Sequence, residues 1–424
     1  MFNEYIRQAN FNQISPRSFW DNVEEGLHFD DNKFKTNQYV HPFNGSTYFN
    51  SGRSNGLGFW ASTLTAMTGA TIWEVAGETH PASYNDLIAT GIGGIAFGET
   101  VYRLSSYLLD NTATGSGRTW REIGSFLIDP IHGFNRFVSG RASKVQGNPS
   151  DPYDWRPPRY YTNLAIGARI TGKGESINDS TEVRPVIDLY INHGNPFENA
   201  RRKPFDHFDT GVQFNGDDKN TLSRFQIRGD LFSKALGEAA YPKYAIAFTQ
   251  YFDYVNNYDY EFGGQSFGGT FYSRFRPSSN IGIQARVDLL WSILAAVNAE
   301  YSFLAQVEDR ERFREYDYGP GGGVSAEAGV LHKGRRVFWL GYRAQYVHVR
   351  NGSIWNPSET GSNAEHYVQS FGVKLAIPVR GAMNVGADAS VFRRDSDYEI
   401  AELQDTHNQR VPQARLYLSW ETSR

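Results

Sequence analysis

Residues 281–293, IGIQARVDLLWSI, place apolar side chains at every odd position and polar or charged side chains at most even positions. Successive side chains of a strand point to opposite faces of a sheet, so this stretch predicts a strand with one apolar and one charged face. The same alternation recurs in residues 381–394 (GAMNVGADASVFRR) and 411–420 (VPQARLYLSW). A soluble sandwich would bury the apolar face and a membrane barrel would turn it outward, and periodicity alone leaves both open.

The length and the number of these alternating runs favour the membrane barrel over the soluble sandwich. Runs of about 12 residues exceed the usual 5 to 6 of soluble sheets and suit tilted bilayer crossings. Aromatic residues near the run ends predict an interfacial girdle, formed by Tyr160, Tyr161, residues 251–254, Tyr258, Tyr260, Tyr316, Tyr318 and Trp420. The predicted strands are 159–171, 183–193, 205–215, 222–234, 242–255, 262–276, 280–294, 318–332, 335–349, 364–379, 382–395 and 411–421. The sequence therefore predicts an antiparallel transmembrane β-barrel of about 12 strands in the bacterial outer membrane.

The connections between the predicted strands alternate in length. Residues 333–334 and 380–381 are short turns, whereas 308–315, 351–363 and 397–409 are longer and charged. Short turns on the periplasmic side and long loops outside are typical of outer-membrane barrels. We expect these three segments to be external loops, and residues 294–317 give no clear assignment.

Composition excludes several other classes of protein. The 424 residues contain 42 Lys and Arg against 46 Asp and Glu, and no Cys. A nearly balanced charge without basic clusters argues against a nucleic-acid partner, and the absence of Cys excludes disulfides, thiolate zinc sites and Cys nucleophiles. The 29 Phe, 25 Tyr, 9 Trp and 42 Gly occur at a mean hydropathy of only −0.53. Barrels combine these properties, because a charged inner face alternates with an apolar outer one.

The first third of the chain follows a helical spacing instead. We predict helices over residues 55–77, 84–110 and 116–128, with Ser83 as the N-cap of the second. Four glycines in GIGGIAFG, residues 91–98, predict closely packed helices, since each costs roughly 1 kcal/mol relative to Ala. A Pro- and Asp-rich stretch, 147–158, divides a helical domain, 1–155, from the barrel, 156–424. The opening MFNEYIRQANFN lacks the apolar core of a signal peptide, so we expect the leader to be absent from this numbering.

Motifs in this helical part resemble a known family. Residues 39–62 (YVHPFNGSTYFNSGRSNGLGFWAS), WEVAGE and YNDLIATGIGGIAFGETVYRLS within 73–105, and FLIDPIHGFNR at 126–136 carry the similarity. They resemble bacterial domain-of-unknown-function family 3943. The resemblance implies an outer-membrane protein in which a helical domain precedes a barrel, and it brings no established activity.

A cluster of polar residues in the helical domain is the first candidate site. Glu74, Glu78 and His80 are the candidate catalytic residues, and the surrounding set is His41, Arg53, Asp86, Glu99, Arg103 and His132. Such groups form a metal site, an acid/base pair or a structural network of ion pairs and hydrogen bonds. We favour the structural network. No HExxH spacing is present, so neither a metal nor a cofactor is predicted.

The segment 346–367, YVHVRNGSIWNPSETGSNAEHY, is the second candidate. It resembles the barrel-edge loop of outer-membrane lipid A deacylases, in which a His-x-Ser-Asn step provides the nucleophile and its base. His348 matches the His, but Arg350 stands where the family has Ser, and Ser353 and Ser358 lie at other spacings. A turn-rich external loop is therefore favoured over a catalytic site.

The charged inner face of the barrel is the third candidate. Its predicted lumen-lining residues are Asp188, Arg286, Asp288, Arg343, Asp388 and Arg415, with Arg228, Asp230, Glu327 and Lys374 at similar positions. We predict a non-enzymatic channel or scaffold, plugged by the helical domain, that passes a small polar or lipidic solute. Outer-membrane lipid or lipopolysaccharide is the expected partner. The alternative is a lipid hydrolase or lipid A-modifying enzyme that uses His348 or the group Glu74, Glu78 and His80.

Overall fold

The chain forms two compact units, Met1–Arg156 and Pro157–Arg424. The computed structural model describes residues 14–30, 32–157, 159–172, 183–198, 203–216, 221–237, 243–257, 260–299, 316–350, 363–400 and 403–423. The side chains of residues 400 and 403 lie outside this description, as do Ser353, Ser358 and Tyr258 of the sequence predictions.

The first unit is helical. Its α-helices are α1 (Pro16–Glu25), α2 (His41–Ser54), α3 (Phe59–Ile72), α4 (Tyr84–Ile88), α5 (Gly94–Leu108), α6 (Gly115–Ile128) and α7 (Pro130–Val138). Three π-helical segments, Thr36–Val40, Trp73–Gly77 and Ala89–Gly93, adjoin α2, α3 and α5. Among the helices that the structure describes, none has the length and apolar character needed to cross a membrane.

The sequence-based helix boundaries need correction. The helix predicted at 55–77 begins at Phe59, after the extended Gly58, and continues beyond Ile72 as a π-helical segment. The helix predicted at 84–110 is interrupted by another π-helical segment and ends at Leu108, although Ser83 caps it as predicted, accepting a hydrogen bond from the Asp86 amide. Helix α2 was missed because its glycines, proline and polar residues favour turns in an isolated sequence.

The glycines predicted to pack closely do so where α2 crosses α5. A Cβ atom on Gly45 would lie 1.7 Å from the carbonyl oxygen of Thr90, and one on Gly94 would lie 2.5 Å from the carbonyl carbon of Gly45. The two backbones approach so closely that no side chain fits between them. Their contact brings the start of α2 beside the π-helical segment that contains Thr90.

The second unit is a closed antiparallel barrel of 12 strands, as the sequence predicts. Each strand pairs with its neighbours in the chain, and the first pairs with the last, for example Leu164 with Trp420. The strands are β1 (Tyr160–Thr171), β2 (Val183–His193), β3 (Phe208–Asn215), β4 (Leu222–Leu236), β5 (Tyr244–Asn256), β6 (Glu261–Phe275), β7 (Ile281–Asn298), β8 (Tyr316–His332), β9 (Arg335–Val349), β10 (Asn363–Arg380), β11 (Met383–Ile400) and β12 (Leu403–Ser423).

The alternation along β7 determines which face of the barrel is apolar. Leu289 and Trp291 are each 64% exposed on the outside, whereas Asp288 and Ser292 are buried on the inside. The same outward apolar face continues on other strands, including Ile187, Phe248, Phe271, Leu375, Val385 and Leu416. The barrel thus exposes apolar side chains around its wall and turns its charges inward.

Two predictions about the strand ends are wrong. Tyr251 is only 2% exposed, and Tyr254, Tyr316 and Tyr318 are equally buried, so these rings do not belong to an outer girdle. Tyr251 has the same strand parity as Asp253, which directs its hydroxyl inward to Asp288. Residues predicted as a loop at 397–409 instead extend β11 and β12 up to the pair Ile400 and Leu403, because the backbone ladder is satisfied whatever the polarity of the side chains.

Candidate functional site

A chain of ion pairs crosses the barrel lumen. Arg286 of β7 donates to Asp209 of β3 at 2.7 Å and to Glu327 of β8 at 2.8 Å. Arg228 of β4 donates to the other oxygen of Glu327 at 2.7 Å. Arg286 and Glu327 are partners on the adjacent strands β7 and β8. The contacts Arg286–Asp209 and Arg228–Glu327 join strands that are not neighbours in the sheet, so these two span the interior.

Further ion pairs lie along the same inner face. Asp188 accepts from Arg224 at 2.9 Å and from Arg415 at 3.0 Å, and Arg415 also reaches Asp388 at 2.7 Å. Arg343 of β9 crosses to β5, where its Nη1 donates to Asp253 at 2.7 Å.

The structure places all six predicted lumen-lining residues on the inner face, and Asp288 accepts there from Tyr251, Thr270 and Ser325. Sequence reasoning missed Asp209, Arg224 and Asp253. Each of them lies at a position on the polar face of its strand, but only the closed barrel shows which residues it contacts.

Three cavities follow one another along this lumen. Their volumes are about 280, 200 and 250 Å³, and Glu327 lines all three. The 200 Å³ cavity is also lined by Arg336 and Lys374. The Arg336 guanidinium lies 4.4 Å from the Tyr161 ring centre, with Tyr190 and Trp339 within 5.3 Å. Within the part of the barrel that the structure describes, neither Arg336 nor Lys374 forms an ion pair with a carboxylate.

His348 lies at the end of the barrel opposite to the start of β1 and the end of β12. It lines a pocket of about 710 Å³ formed by residues of β9 to β12. Its imidazole lies 3.8 Å from the Glu365 carboxylate and accepts a hydrogen bond from Arg350 at 3.0 Å. A second imidazole nearby, His366, lies 2.8 Å from the Ser396 hydroxyl and 3.2 Å from Asp317. All three of these residues are fully buried, so the trio is a structural network that sequence spacing across three strands could not reveal.

In the helical unit, Glu99 forms the centre of one polar cluster. Arg53 donates to both of its oxygens, at 2.7 and 3.0 Å, and Arg103 donates at 2.7 Å. Burial raises the pKa of Glu99, but the two guanidiniums outweigh it and hold that pKa below its ordinary value. This group is a buried ion-pair network of one carboxylate and two guanidiniums.

A second cluster, separate from the first, collects His41, Glu74 and Asp86. One ligand-type atom from each lies within 4.8 Å of the other two. His41 begins α2, Glu74 lies in the π-helical segment after α3, and Asp86 lies in the first turn of α4. The loop between Glu74 and Asp86 is held by Ser83, whose amide donates to Glu74 at 3.1 Å. We call this group the His41 cluster.

Carboxyl groups in and beside the His41 cluster have strongly perturbed pKa values. Burial, followed by the charge of Glu78, raises the pKa of Glu74 to about 8, and burial with Asp30 raises that of Glu78 to about 7. Burial, then Asp30 and Glu74, raises the pKa of Asp86 well above its ordinary value. Burial lowers the pKa of His41.

The remaining predicted residues of the helical unit are not members of this cluster. His80 is exposed and Glu78 is half-buried. His132 is buried against Ser105, whose hydroxyl lies 2.8 Å from its Nδ1. The one polar set predicted from sequence therefore divides into the Glu99 network, the His41 cluster and the His132–Ser105 pair.

A closed barrel with an even number of antiparallel strands, an apolar outer wall and a charged interior defines the bacterial outer-membrane β-barrels. The chain is a protein of this class, located in the outer membrane. Residues 26–131, within its helical unit, match the family model described as a domain of unknown function, DUF3943, which confirms the resemblance found in the sequence.

Solved structures similar to this chain include two porins and a hydrocarbon channel. The NanC porin is 7% identical, with 61% of this chain and 98% of that chain covered and a TM-score of 0.31. The KdgM porin is 8% identical, with coverages of 60% and 98% and a TM-score of 0.27. A mutant of the TodX monoaromatic hydrocarbon channel is 8% identical, with coverages of 65% and 92% and a TM-score of 0.23. Among curated proteins, none matches the sequence.

Proposed function

We propose that the barrel is a channel for a small, anionic, polar solute, narrowed by its cross-lumen ion pairs and regulated by the helical unit. The observation that carries this proposal is the chain Arg228–Glu327–Arg286–Asp209, whose members border the cavities of the lumen. A barrel of about 8 strands is already filled by side chains, so 12 strands leave space for solute. Ion pairs across that space narrow the lumen. Breaking them would widen it without disrupting the pairing of the barrel strands.

The preference for an anion is supported by Arg336 and Lys374. Both line the 200 Å³ cavity, where the carboxylates Asp188, Glu327 and Asp388 are already engaged by arginines. Rings of Lys and Arg select anions in other pores. The aromatic rings around Arg336 add flat surfaces on which the apolar face of a solute can stack.

The constriction is tested by single-channel conductance of the full chain in planar bilayers. Replacing Arg228 and Arg286 together with Ala removes the cross-lumen chain, and we expect conductance to rise several-fold. The matched control is Arg393→Ala, which breaks an exposed ion pair with Asp395 on β11 and should leave conductance unchanged. Equal conductance of the double variant and the parent would refute the constriction.

Ion selectivity tests the solute class. In a salt gradient, the reversal potential of the parent is expected to indicate anion preference, and Lys374→Gln with Arg336→Gln should move it toward zero. Lys234→Gln is the control, because Lys234 is exposed on β4. A cation-selective parent would contradict the proposal.

The role of the helical unit is tested separately. Deletion of residues 1–156 is expected to raise conductance, once heat-modifiable migration shows that the barrel has folded. Unchanged conductance of the folded barrel would remove the helical unit from the mechanism while leaving the constriction standing.

The enzymatic alternative has one supporting observation, the placement of His348 and Glu365 in the 710 Å³ pocket. A base oriented by a carboxylate is part of a hydrolytic site, although a nucleophile is also required. For a channel, lipid A and phospholipid profiles should be identical in parent and His348→Ala strains. Accumulation of an unmodified lipid in the variant would favour the enzyme.

A further inference from the structure

The geometry of the His41 cluster points to a metal site. Its three ligand-type atoms come from three different elements. Glu74 lies in a π-helical segment, and other π-helical segments adjoin α2 and α4. Such segments occur frequently at functional sites. We infer that His41, Glu74 and Asp86 bind one divalent transition-metal cation in the helical unit. The sequence alone predicts no metal here, so this is a departure from that expectation.

The orientation of the His41 ring is the first argument. Its Nδ1 lies 3.2 Å from the Thr90 hydroxyl, and its Nε2 lies 3.5 Å from Asp86 Oδ2. In the tautomer that carries its proton on Nδ1, this nitrogen donates to the Thr90 hydroxyl and the Nε2 lone pair faces a carboxylate oxygen. Two acceptors facing each other repel, and a cation between them turns the repulsion into coordination. A metal-bound His is typically held in this way by a hydrogen bond at its other nitrogen.

Glu74 is the second argument. Glu74 is only 1% exposed, yet only one of its oxygens has a hydrogen-bond donor, the Ser83 amide. Among the residues that the structure describes, none donates to the other oxygen. Keeping a buried carboxylate ionised with a single neutral donor is costly, and metal coordination offsets that cost.

The charge of the cluster is the third argument. In the described parts of the helical unit, neither Lys nor Arg pairs with Glu74 or Asp86, whereas two arginines neutralise the equally buried Glu99. Protonation of the carboxyls would also relieve the charge. A divalent cation would neutralise both carboxylates and bind the imidazole at the same centre.

The donor set indicates the class of metal. One imidazole nitrogen with two carboxylates suits Zn²⁺ or Mn²⁺, whereas Ca²⁺ takes 6 to 8 oxygen ligands. Three protein ligands leave at least one position for water or another ligand.

The test is calorimetric titration of the detergent-solubilised full chain after removal of metals with a chelator. ZnCl₂ and MnCl₂ are the probes, and CaCl₂ is the comparison. We expect one Zn²⁺ or Mn²⁺ per chain, with binding weakened by at least about 100-fold in Glu74→Gln and in Asp86→Asn, since even the loss of outer contacts costs about 10- to 100-fold. Glu24→Gln, on the exposed surface of α1, and His80→Ala should bind as the parent does.

Absence of stoichiometric binding by the parent would overturn the inference, as would unchanged affinity in both folded variants. Circular dichroism checks that each variant is folded. If one variant does not fold, the other and the Mn²⁺ electron paramagnetic resonance signal of the parent decide the result: a broadened signal of bound Mn²⁺ supports the site, and a free-ion signal refutes it.

Discussion

The Glu99 network and the His41 cluster bury carboxylates to almost the same degree and neutralise them differently. Glu99 is 0% exposed and is held between Arg53 and Arg103, whereas Glu74 is 1% exposed without a guanidinium partner among the described residues. Breaking a buried pair leaves a stranded charge, so paired groups stabilise the architecture. Unpaired buried charge is instead costly to the fold, and it indicates a ligand or a chemical role.

The barrel lumen follows the first pattern. Glu327 and Asp388 each accept from an arginine, although cavities lie beside them. Among the described residues, Arg336 and Lys374 line a cavity of this interior without an ion pair, as Glu74 and Asp86 lack a Lys or Arg partner in the helical unit. The same criterion therefore supports both proposals, an anion preference in the barrel and a cation-binding position in the helices.

The largest expected effect contrasts the two carboxylates. Glu99→Gln strands two buried guanidiniums and should lower the opening free energy of α5 by about 3–5 kcal/mol. Glu74→Gln in metal-free protein replaces a carboxyl that has no guanidinium partner among the described residues and whose pKa is raised to about 8, so it should leave this free energy unchanged or higher. Hydrogen exchange of α5 amides in the full chain measures both. Equal losses in the two variants would abolish the distinction.

The close helix contact gives the next effect. Gly45→Ala places a methyl group against the Thr90 carbonyl and should cost about 3 kcal/mol, while also separating His41 from Thr90. Gly117→Ala in α6, where a Cβ meets open space, should stabilise by about 0.5–1 kcal/mol. The comparison uses the same exchange measurement. A tolerated Gly45→Ala would mean that the two helices can move apart.

A pH effect sharpens the contrast between neutral and charged buried groups. Burial, then Arg136 and Arg141, lowers the pKa of His132 to about 3 from 6.5. The unfolded state therefore binds the proton first, so His132 contributes full stability above pH 6.5 and loses about 1.4 kcal/mol per unit as the pH falls toward 3. In His132→Gln this part of the slope should vanish. Parallel pH profiles of α7 exchange in parent and variant would contradict the assignment.

The smallest effect comes from an exposed pair. Arg393 and Asp395 lie 2.8 Å apart on β11, but the Arg393 side chain is 58% exposed. Arg393→Ala should change barrel stability by less than about 0.5 kcal/mol, because solvent screens such pairs. Urea unfolding in detergent micelles measures it. A large loss would show that pairing, without burial, is sufficient to stabilise this barrel.

Much of the fold follows from local patterns. Alternation in residues 281–293 gives the direction of each side chain of β7, and the predicted bounds of β2, 183–193, are those observed. Where a pattern had two meanings, prediction failed: Tyr251 near a strand end suggested a girdle, but its parity placed it inside. Charged residues at 397–409 suggested a loop, but backbone pairing continued through them.

For the candidate sites, the sequence identified residue types and could not group them. It named His41, Asp86, Glu99 and His132 together, because they lie near one another in the chain. Their separation depends on the crossing of α2 with α5, where Gly45 meets Gly94, and on π-helical segments that no hydrophobic period signals.

The sequence by itself determined the strands, about 12 in number, and the division of each into an apolar and a charged face, because a period of two is a local property that any paired strand must obey. Only the tertiary structure decided which charges neutralise one another. Arg286 pairs with Asp209, and His41 lies beside Asp86, although the members of each pair are far apart in the chain. Closure of the sheet brings the first pair together, and close packing of the helices brings the second.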